Sequence, residues 1–209
     1  MSTRPRVVVA DSGSGNLRSV EKALGAVGAD AVVSSDADLV ARADRLVVPG
    51  QGAFGACAIG LDQGGGALRQ AVLEVIRAGR PFFGICIGMQ LLFESSEESP
   101  GVPGLGVLPG RVVRFAARPG LKIPHMGWNR TARGPARSHA VAGVPHGDFF
   151  YFVHSYYPAP ERAADVALIS EHGVPFTAAV ARDNVFACQF HPEKSQAAGL
   201  ALLRQFVAA

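Results

Sequence analysis

The sequence predicts an α/β fold: a central, mostly parallel sheet with flanking helices, extended by antiparallel strands in the second half. Two observations support this. In the first half, short apolar runs alternate with amphipathic segments of helical period, as in chains whose parallel strands are joined by helices. Between about residues 101 and 189 the apolar runs are short, and Pro and Gly separate them. The 209-residue chain, 48% hydrophobic, is long enough to form one domain over residues 1–209 around its own core.

In the first half, strands are predicted from apolar runs and helices from periodic apolar faces. In the segment 67–78, for example, Leu68, Val72 and Val75 recur at helical spacing. The Gly-rich stretch up to residue 66 is predicted as a loop. The strands are expected at 6–10, 31–34, 45–48 and 81–85, and the helices at 16–27, 36–43, 67–78 and 89–94.

In the second half, the pattern predicts mostly strands. Asp183 and Asn184 are typical of a hairpin turn between the last two of them. Ser195 can cap a final helix, in which Leu200, Leu203 and Phe206 would face the core. The strands are expected at 111–115, 148–157, 166–170, 176–181 and 185–190.

Composition and charge exclude several classes of protein. A net charge of +3 is small for this length, so nucleic-acid binding is not indicated. No apolar stretch approaches the roughly 18 residues of a membrane span, and the apolar run near the N-terminus is too short for a signal peptide. Cys57, Cys86 and Cys188 form no C-x-x-C pair and are odd in number, which argues against a disulfide scaffold. We therefore expect a cytoplasmic protein that binds no membrane.

One stretch has an unusual charge pattern. No Asp or Glu occurs between Ser99 and Gly147, although seven basic residues do. Two interpretations remain open: a set of solvent-exposed hairpins, or a face that meets an acidic protein partner or a phosphorylated ligand. The basic residues are Arg111, Arg114, Arg118, Lys122, Arg130, Arg133 and Arg137.

The segment Gly84-Ile-Cys-Ile-Gly88 lies between a predicted strand and a helix. It is the Cys counterpart of the G-x-S-x-G nucleophile elbow, in which small neighbours allow a sharp turn and close backbone approach. A helix N-terminus after Cys86 favours the thiolate, and the Ile87 N–H would point to where an oxyanion forms. The alternative is an ordinary buried cysteine.

His191-Pro-Glu193 supplies a candidate base at the end of the strand 185–190. Alternation puts Gln189 and His191 on one face of that strand, whereas Cys188 lies on the other and is predicted to belong to the core. Glu193 can bind the second ring nitrogen of His191, fixing its tautomer and stabilising the imidazolium. The histidines show no H-E-x-x-H spacing, so no metal site is predicted.

The loop Pro49-Gly-Gln-Gly52 also follows a predicted strand. Gly50 and Gly52 can adopt positive φ angles, and backbone N–H groups exposed in this way suit an oxyanion hole. The alternative is an ordinary Gly-rich turn.

Together these three motifs resemble those of the class I (triad) glutamine amidotransferases, in the same order and at suitable separations. Four further segments are similar to the glutaminase subunits that serve imidazole glycerol phosphate synthase in histidine biosynthesis. At one position, Ser12 stands where that family usually has Tyr. The four segments are Gly15-Asn-Leu-Arg-Ser19, Pro124-His-Met-Gly-Trp-Asn129, Tyr151-Phe-Val-His-Ser-Tyr156 and His191-Pro-Glu-Lys-Ser195.

The resemblance implies hydrolysis of glutamine to glutamate and ammonia through a Cys thioester. It implies no cofactor, and a heterodimer in which a (β/α)₈ cyclase subunit receives the ammonia. The implied catalytic residues are Cys86, His191 and Glu193, and the implied oxyanion donors are the N–H groups of Gln51 and Ile87. The implied substrate contacts are Gly50, Gly52, Gln90, Ser155 and Tyr156. The implied partner interface comprises Asn16, Met126, Trp128, Tyr151 and Lys194.

Three other functions compete with this one. A glutaminase subunit of another synthase is disfavoured by the Pro124–Asn129 segment. A cysteine peptidase or a stress protein with a similar elbow does not combine Cys with a distant H-P-E motif and a P-G-x-G loop. A non-catalytic binding protein is disfavoured by the intact Cys86, His191 and Glu193.

Overall fold

Strands and helices alternate along the first half of the chain, as the sequence predicts. The computed structural model describes residues 5–142 and 147–209. The elements of this half are β1 (Arg6–Ala10), α1 (Leu17–Ala26), β2 (Asp30–Ser34), α2 (Ala37–Ala41), β3 (Leu46–Gly50), α3 (Phe54–Asp62), α4 (Ala67–Arg77), β4 (Phe82–Cys86) and α5 (Ile87–Gln90).

The second half consists mainly of strands and ends in a helix. Its elements are β5 (Ser95–Ser96), β6 (Gly110–Arg114), β7 (His125–Arg130), β8 (Ala132–Arg133), β9 (Phe149–His154), β10 (Tyr156–Pro160), β11 (Val166–Glu171), β12 (Pro175–Arg182), β13 (Val185–Cys188) and α6 (Gln196–Ala208).

An eight-stranded sheet in the order β2-β1-β3-β4-β13-β12-β11-β8 forms the centre of the molecule. The pairs from β2 to β13 are parallel, and those from β13 to β8 are antiparallel. This confirms the predicted fold class. Both faces of the sheet are covered at its centre, since every residue of β3 and β4 is buried. Apolar runs without alternation are the sequence signature of strands buried on both faces.

Not every antiparallel strand joins this sheet. The ladders β10-β6-β5 and β7-β9 form two further small sheets. The single strand predicted over 148–157 is wrong, because the chain changes partner at Ser155. His154 pairs with His125 in one ladder, whereas Tyr156 pairs with Arg114 in the other. Ser155 therefore lies at a bend between two sheets.

The Gly-rich stretch before residue 66 contains α3 and is not only a loop. The two glycines within α3, Gly55 and Gly60, are required by packing: a Cβ on Gly60 would lie 1.9 Å from the carbonyl oxygen of Ser12. The helix N-terminus is capped from a distant segment. The Phe54 N–H donates to Glu98 Oε2 at 2.7 Å, and the Gly55 N–H donates to Ser99 Oγ at 2.9 Å. A packed helix therefore follows the P-G-x-G loop directly.

Two predictions about helix ends are also corrected. The helix predicted over 89–94 begins earlier and ends at Gln90. The final helix follows Ser195, but the Ser195 hydroxyl does not cap it. Instead, that hydroxyl donates to His191 O at 2.6 Å and accepts from the Tyr151 N–H at 3.0 Å. Ser195 thus ties the H-P-E segment to β9.

Candidate functional site

Cys86 lies at a sharp turn between β4 and α5. It has a φ of 55°, a conformation that costs a non-Gly residue about 1–3 kcal/mol and often marks a functional site. Neither flanking glycine has room for a side chain. A Cβ on Gly84 would lie 2.6 Å from Gly88 O, and one on Gly88 would lie 1.8 Å from Val48 O. The packed backbone therefore holds the elbow in its strained form.

The two glycines of the P-G-x-G loop have different roles. Gly52 has a φ of +91°, as predicted. The prediction of a positive φ is wrong for Gly50, which ends β3 and pairs with Cys86. A glycine is required at position 50 by packing instead, because a Cβ there would lie 2.7 Å from Ile87 Cβ. This contact holds the loop against the elbow.

His191 follows β13 and is paired with Glu193. Its Nδ1 lies 2.9 Å from Glu193 Oε1, and both side chains are buried. Burial disfavours the charged imidazole, but the interactions of the ring with Cys86 and Glu193 outweigh it and raise the pKa of His191 to about 9. The other ring nitrogen, Nε2, is buried without a hydrogen-bond partner among the described residues. The ring is thus favoured as an imidazolium at neutral pH.

The sheet brings the two motifs together. β4 and β13 are neighbouring parallel strands, with Ile85 opposite Cys188. The segments that follow these two strands therefore leave the same edge of the sheet side by side. Cys86 and His191 line one cavity of about 400 Å³.

That cavity gathers most of the predicted substrate and oxyanion residues. Gln51, Gly52, Ile87, Gln90, Ser155 and Tyr156 all line it. Gly50 lies behind the loop, against Ile87. The lining also includes Glu98, Pro124, Val153 and His154, which the sequence analysis did not select. Glu98 belongs to no motif, and its role depends on a fold contact with Phe54 44 positions away.

A larger cavity, of about 630 Å³, lies between β7, β8 and β11. None of the predicted catalytic residues lines it. Chemistry, rather than size, therefore identifies the smaller cavity as the candidate active site.

Four of the five predicted interface residues form one surface group. Met126 and Trp128 are 63% and 48% exposed on β7. Trp128 lies opposite Tyr151 in the β7-β9 ladder, and Lys194 Nζ lies 6.0 Å from the Tyr151 ring centroid. Asn16 lies immediately before α1.

The other two cysteines are structural. Cys57 and Cys188 are buried, and burial raises the pKa of both thiols. Cys188 is a core residue, as predicted.

Among residues 5–142 and 147–209, no group of three His, Cys, Asp or Glu side chains could hold a metal ion. No helix in those ranges is both long and apolar enough to span a membrane. All seven basic residues of the acid-free stretch are exposed.

Comparison with known proteins gives consistent results. The model of the family "Glutamine amidotransferase class-I" matches residues 8–209. Imidazole glycerol phosphate synthase subunit HisH from Geobacter sulfurreducens is 48% identical over 206 residues, covering 96% of this chain and 97% of that protein. The subunit of the same name from Aromatoleum aromaticum is 52% identical over 211 residues, with coverage of 96% and 97%.

Solved structures are similar in fold. PurLQS from Thermotoga maritima has a TM-score of 0.74 at 18% identity, with 99% of this chain and 98% of that chain covered. A structure described as a glutamine amidotransferase has a TM-score of 0.72 at 21% identity, with coverage of 97% and 99%. At these identities the likeness concerns the fold alone.

Proposed function

This chain belongs to the class I glutamine amidotransferases, and on that premise we propose that it is the glutaminase subunit of an imidazole glycerol phosphate synthase. It hydrolyses glutamine to glutamate and ammonia. The ammonia passes to a cyclase subunit, which makes imidazole glycerol phosphate and aminoimidazole carboxamide ribotide. The observation that carries the proposal is the meeting of Cys86, on a strained elbow, with the buried His191–Glu193 pair in one cavity.

The nucleophile in this scheme is Cys86. Its sulfur attacks the carboxamide carbon of glutamine, and the C–S bond forms as the carbonyl electrons move to oxygen. With a pKa of about 9, His191 is protonated at neutral pH and can donate its Nε2 proton to the departing amine. The C–N bond breaks, ammonia leaves and a thioester remains. Neutral His191 then takes a proton from water, which attacks the thioester and releases glutamate and the thiolate.

Glu193 acts through His191. Because its Oε1 accepts a hydrogen bond from Nδ1, the proton available for transfer is on Nε2, the nitrogen without a protein partner. The carboxylate also stabilises the imidazolium within a buried site.

The oxyanion is assigned to the N–H groups of Ile87 and Gln51. Both residues line the cavity beside Cys86. Ile87 begins α5, where backbone N–H groups lack intrahelical partners. Loss of one such donor typically lowers kcat by about 10²–10³-fold.

The cavity also offers groups for the amino-acid end of glutamine. Glu98 supplies a carboxylate for the ammonium group. The Oε1 atom of Gln90 is buried without a hydrogen-bond partner among the described residues, so it is an available acceptor. Gly52, Ser155 and Tyr156 complete the wall around the substrate.

The partner is proposed to dock on the surface group of Met126, Trp128, Tyr151 and Lys194. Exposed Met and Trp side chains are typical of interfaces, and Lys194 supplies an exposed charge beside them. Val153 and His154, at the end of β9, line the active-site cavity. The strand that carries Tyr151 therefore continues into the active site.

The central test is glutamate release by the purified chain, with and without the cyclase subunit and its nucleotide ligand. Cys86→Ala should abolish glutamine-dependent synthesis by the complex, while ammonium salts still support the cyclase reaction. Cys188→Ala, which removes a buried thiol outside the cavity, is the matched control and should retain turnover. Loss of both the glutamine- and ammonium-dependent reactions in Cys86→Ala, or turnover only with another synthase, would contradict the assignment.

Lys194→Ala tests the docking surface. We expect weaker binding of the cyclase and weaker activation by it, with the reactivity of Cys86 retained. Lys22→Ala, which removes an exposed charge from α1, is the control. Equal damage to the isolated chain and to the complex would argue against an interface role.

A further inference from the structure

Gln189 is fully buried directly behind the proposed nucleophile. Its Nε2 lies 3.6 Å from Cys86 Sγ, within hydrogen-bond range for sulfur, and its Oε1 accepts from Gln90 Nε2 at 3.0 Å. Gln189 is not among the described residues that line the cavity. We propose that Gln189 is a further catalytic residue, whose amide N–H donates to the sulfur of Cys86 and stabilises its thiolate.

The orientation of this amide is fixed by its neighbour. Gln90 Nε2 donates both to Gln189 Oε1 and to the carbonyl oxygen of Tyr156, the latter at 3.2 Å. That carbonyl can only accept, so the NH₂ end of Gln90 must face it. The oxygen of Gln189 must then face Gln90, which leaves its NH₂ group facing the sulfur. Turning the amide round would oppose two NH₂ groups and place an oxygen against the thiolate.

A row of hydrogen-bonded neutral side chains also donates to the carbonyl oxygen of Tyr156. His154 Nδ1 donates to Tyr156 O at 2.9 Å, and His154 Nε2 lies 2.9 Å from His125 Nδ1. Asn129 Nδ2 lies 3.0 Å from His125 Nε2. An NH₂ group can only donate, so His125 carries its proton on Nδ1, and so does His154.

Burial is the main cause that lowers the pKa of these two histidines, to about 4 for His125 and about 3 for His154. Both are therefore uncharged at neutral pH. With His125 and His154 each carrying its proton on Nδ1, every hydrogen bond in the row is donated in the direction from Asn129 to Tyr156 O. The row therefore holds in place the carbonyl oxygen that orients Gln90.

A donor behind the sulfur has a physical purpose. Cys86 is only 5% exposed, so few water molecules can solvate a thiolate there. Hydrogen bonds to a charged group are worth more than those between neutral groups, and more still where water is excluded. Gln189 is fully buried and lies outside the cavity lining, so its amide reaches the sulfur from the core. Because Gln189 contacts the nucleophile and not the cavity, it should affect kcat more than KM.

The test uses Gln189→Met, which keeps the length of the side chain but removes the donor, and Gln189→Leu, which removes the donor with a shorter apolar side chain. The rate of Cys86 alkylation by iodoacetamide is measured by mass spectrometry at pH 7 without glutamine. Cys57 and Cys188 should remain silent, because burial raises the pKa of both thiols. We expect about 10- to 100-fold slower alkylation in both variants. The kcat for glutamine should fall in parallel, with KM nearly unchanged.

Ser170→Ala is the matched control. It also removes a buried hydrogen bond, to Arg130 O at 2.8 Å, but lies outside the row that leads to Cys86. Its Cys86 should be alkylated at the wild-type rate. The proposal would be overturned if folded Gln189 variants were also alkylated at the wild-type rate, or if only their KM changed.

If neither Gln189 variant folds, the wild-type protein provides the test. The ¹⁵N signal of the Gln189 side-chain amide should shift when Cys86 is alkylated, and an unchanged signal would overturn the proposal. The inference rests on the proposed role of Cys86. The alkylation rate measures the reactivity of Cys86 without glutamine or a partner. A failure of the synthase assignment would therefore not change the alkylation result, and the two failures can be told apart.

Discussion

Glu193→Gln is expected to remove most of a pH-dependent stabilisation that the folded chain derives from His191. The imidazole is buried, and its pKa rises from the ordinary 6.5 to about 9 despite that burial, because Cys86 and Glu193 favour the charged ring. A rise of this size corresponds to about 3 kcal/mol in favour of the folded protein with His191 protonated. Because the folded-state pKa is the higher one, this stabilisation is complete below about pH 6.5 and disappears as the pH rises through 9.

The assay is urea unfolding at several pH values between 6.5 and 9.5. The wild-type free energy of unfolding should fall across this range, and in Glu193→Gln the fall should be at most about half as large. Glu161→Gln removes an exposed carboxylate and should behave like the wild type. Identical slopes for the wild type and Glu193→Gln, or a wild-type protein that gains stability as the pH rises, would refute the reasoning.

Three other outcomes concern backbone packing, helix propensity and acid stability. Gly88→Ala should lower the free energy of urea unfolding by about 3 kcal/mol or more, since its Cβ would lie 1.8 Å from a carbonyl oxygen of β3. Gly25→Ala, inside α1 with nothing within 4 Å, should raise it by about 0.5–1 kcal/mol. His125 and His154 have pKa values lowered to about 4 and about 3, so only the unfolded chain gains their protons as the pH falls below 6.5. The melting temperature should therefore fall between pH 6.5 and 4, and a constant value would contradict the buried neutral row.

The parallel half of the fold was predictable because its signals are local. Strands buried on both faces are continuous apolar runs, and α4 shows a clear helical period. The motifs around Cys86 and His191 were equally predictable, because a nucleophile elbow and the end of a strand each depend on a few adjacent residues. Their meeting across the β4-β13 pair follows from the rule that parallel strands end at the same edge.

What was missed depends on contacts between distant segments. The helix α3 looks like a loop because Gly55 and Gly60 are required by packing against Ser99 and Ser12, which no local pattern shows. β7 was not predicted because its inward positions are His125, Gly127 and Asn129 and not apolar residues, so no apolar alternation marks the strand.

The alternation predicts that Gln189 lies on the same strand face as His191. Its contact with Cys86 depends on the register of β13 against β4, with Cys188 opposite Ile85, and no pattern within either strand shows that register.

The pairing of β4 with β13 also gives the two walls of the cavity different origins. Cys86 and His191 leave adjacent strands joined by backbone hydrogen bonds inside the core, so their relative position is set by the sheet. The opposite wall comes from the Gln51–Gly52 loop and the bend at Ser155, which lie beyond the strand ends or between sheets. β9 contacts the first wall directly, since Tyr151 O accepts a hydrogen bond from the His191 N–H at 2.9 Å, and the end of the strand at Val153 and His154 lines the cavity. The catalytic pair is therefore positioned by two backbone contacts, one inside the central sheet and one with the β7-β9 ladder.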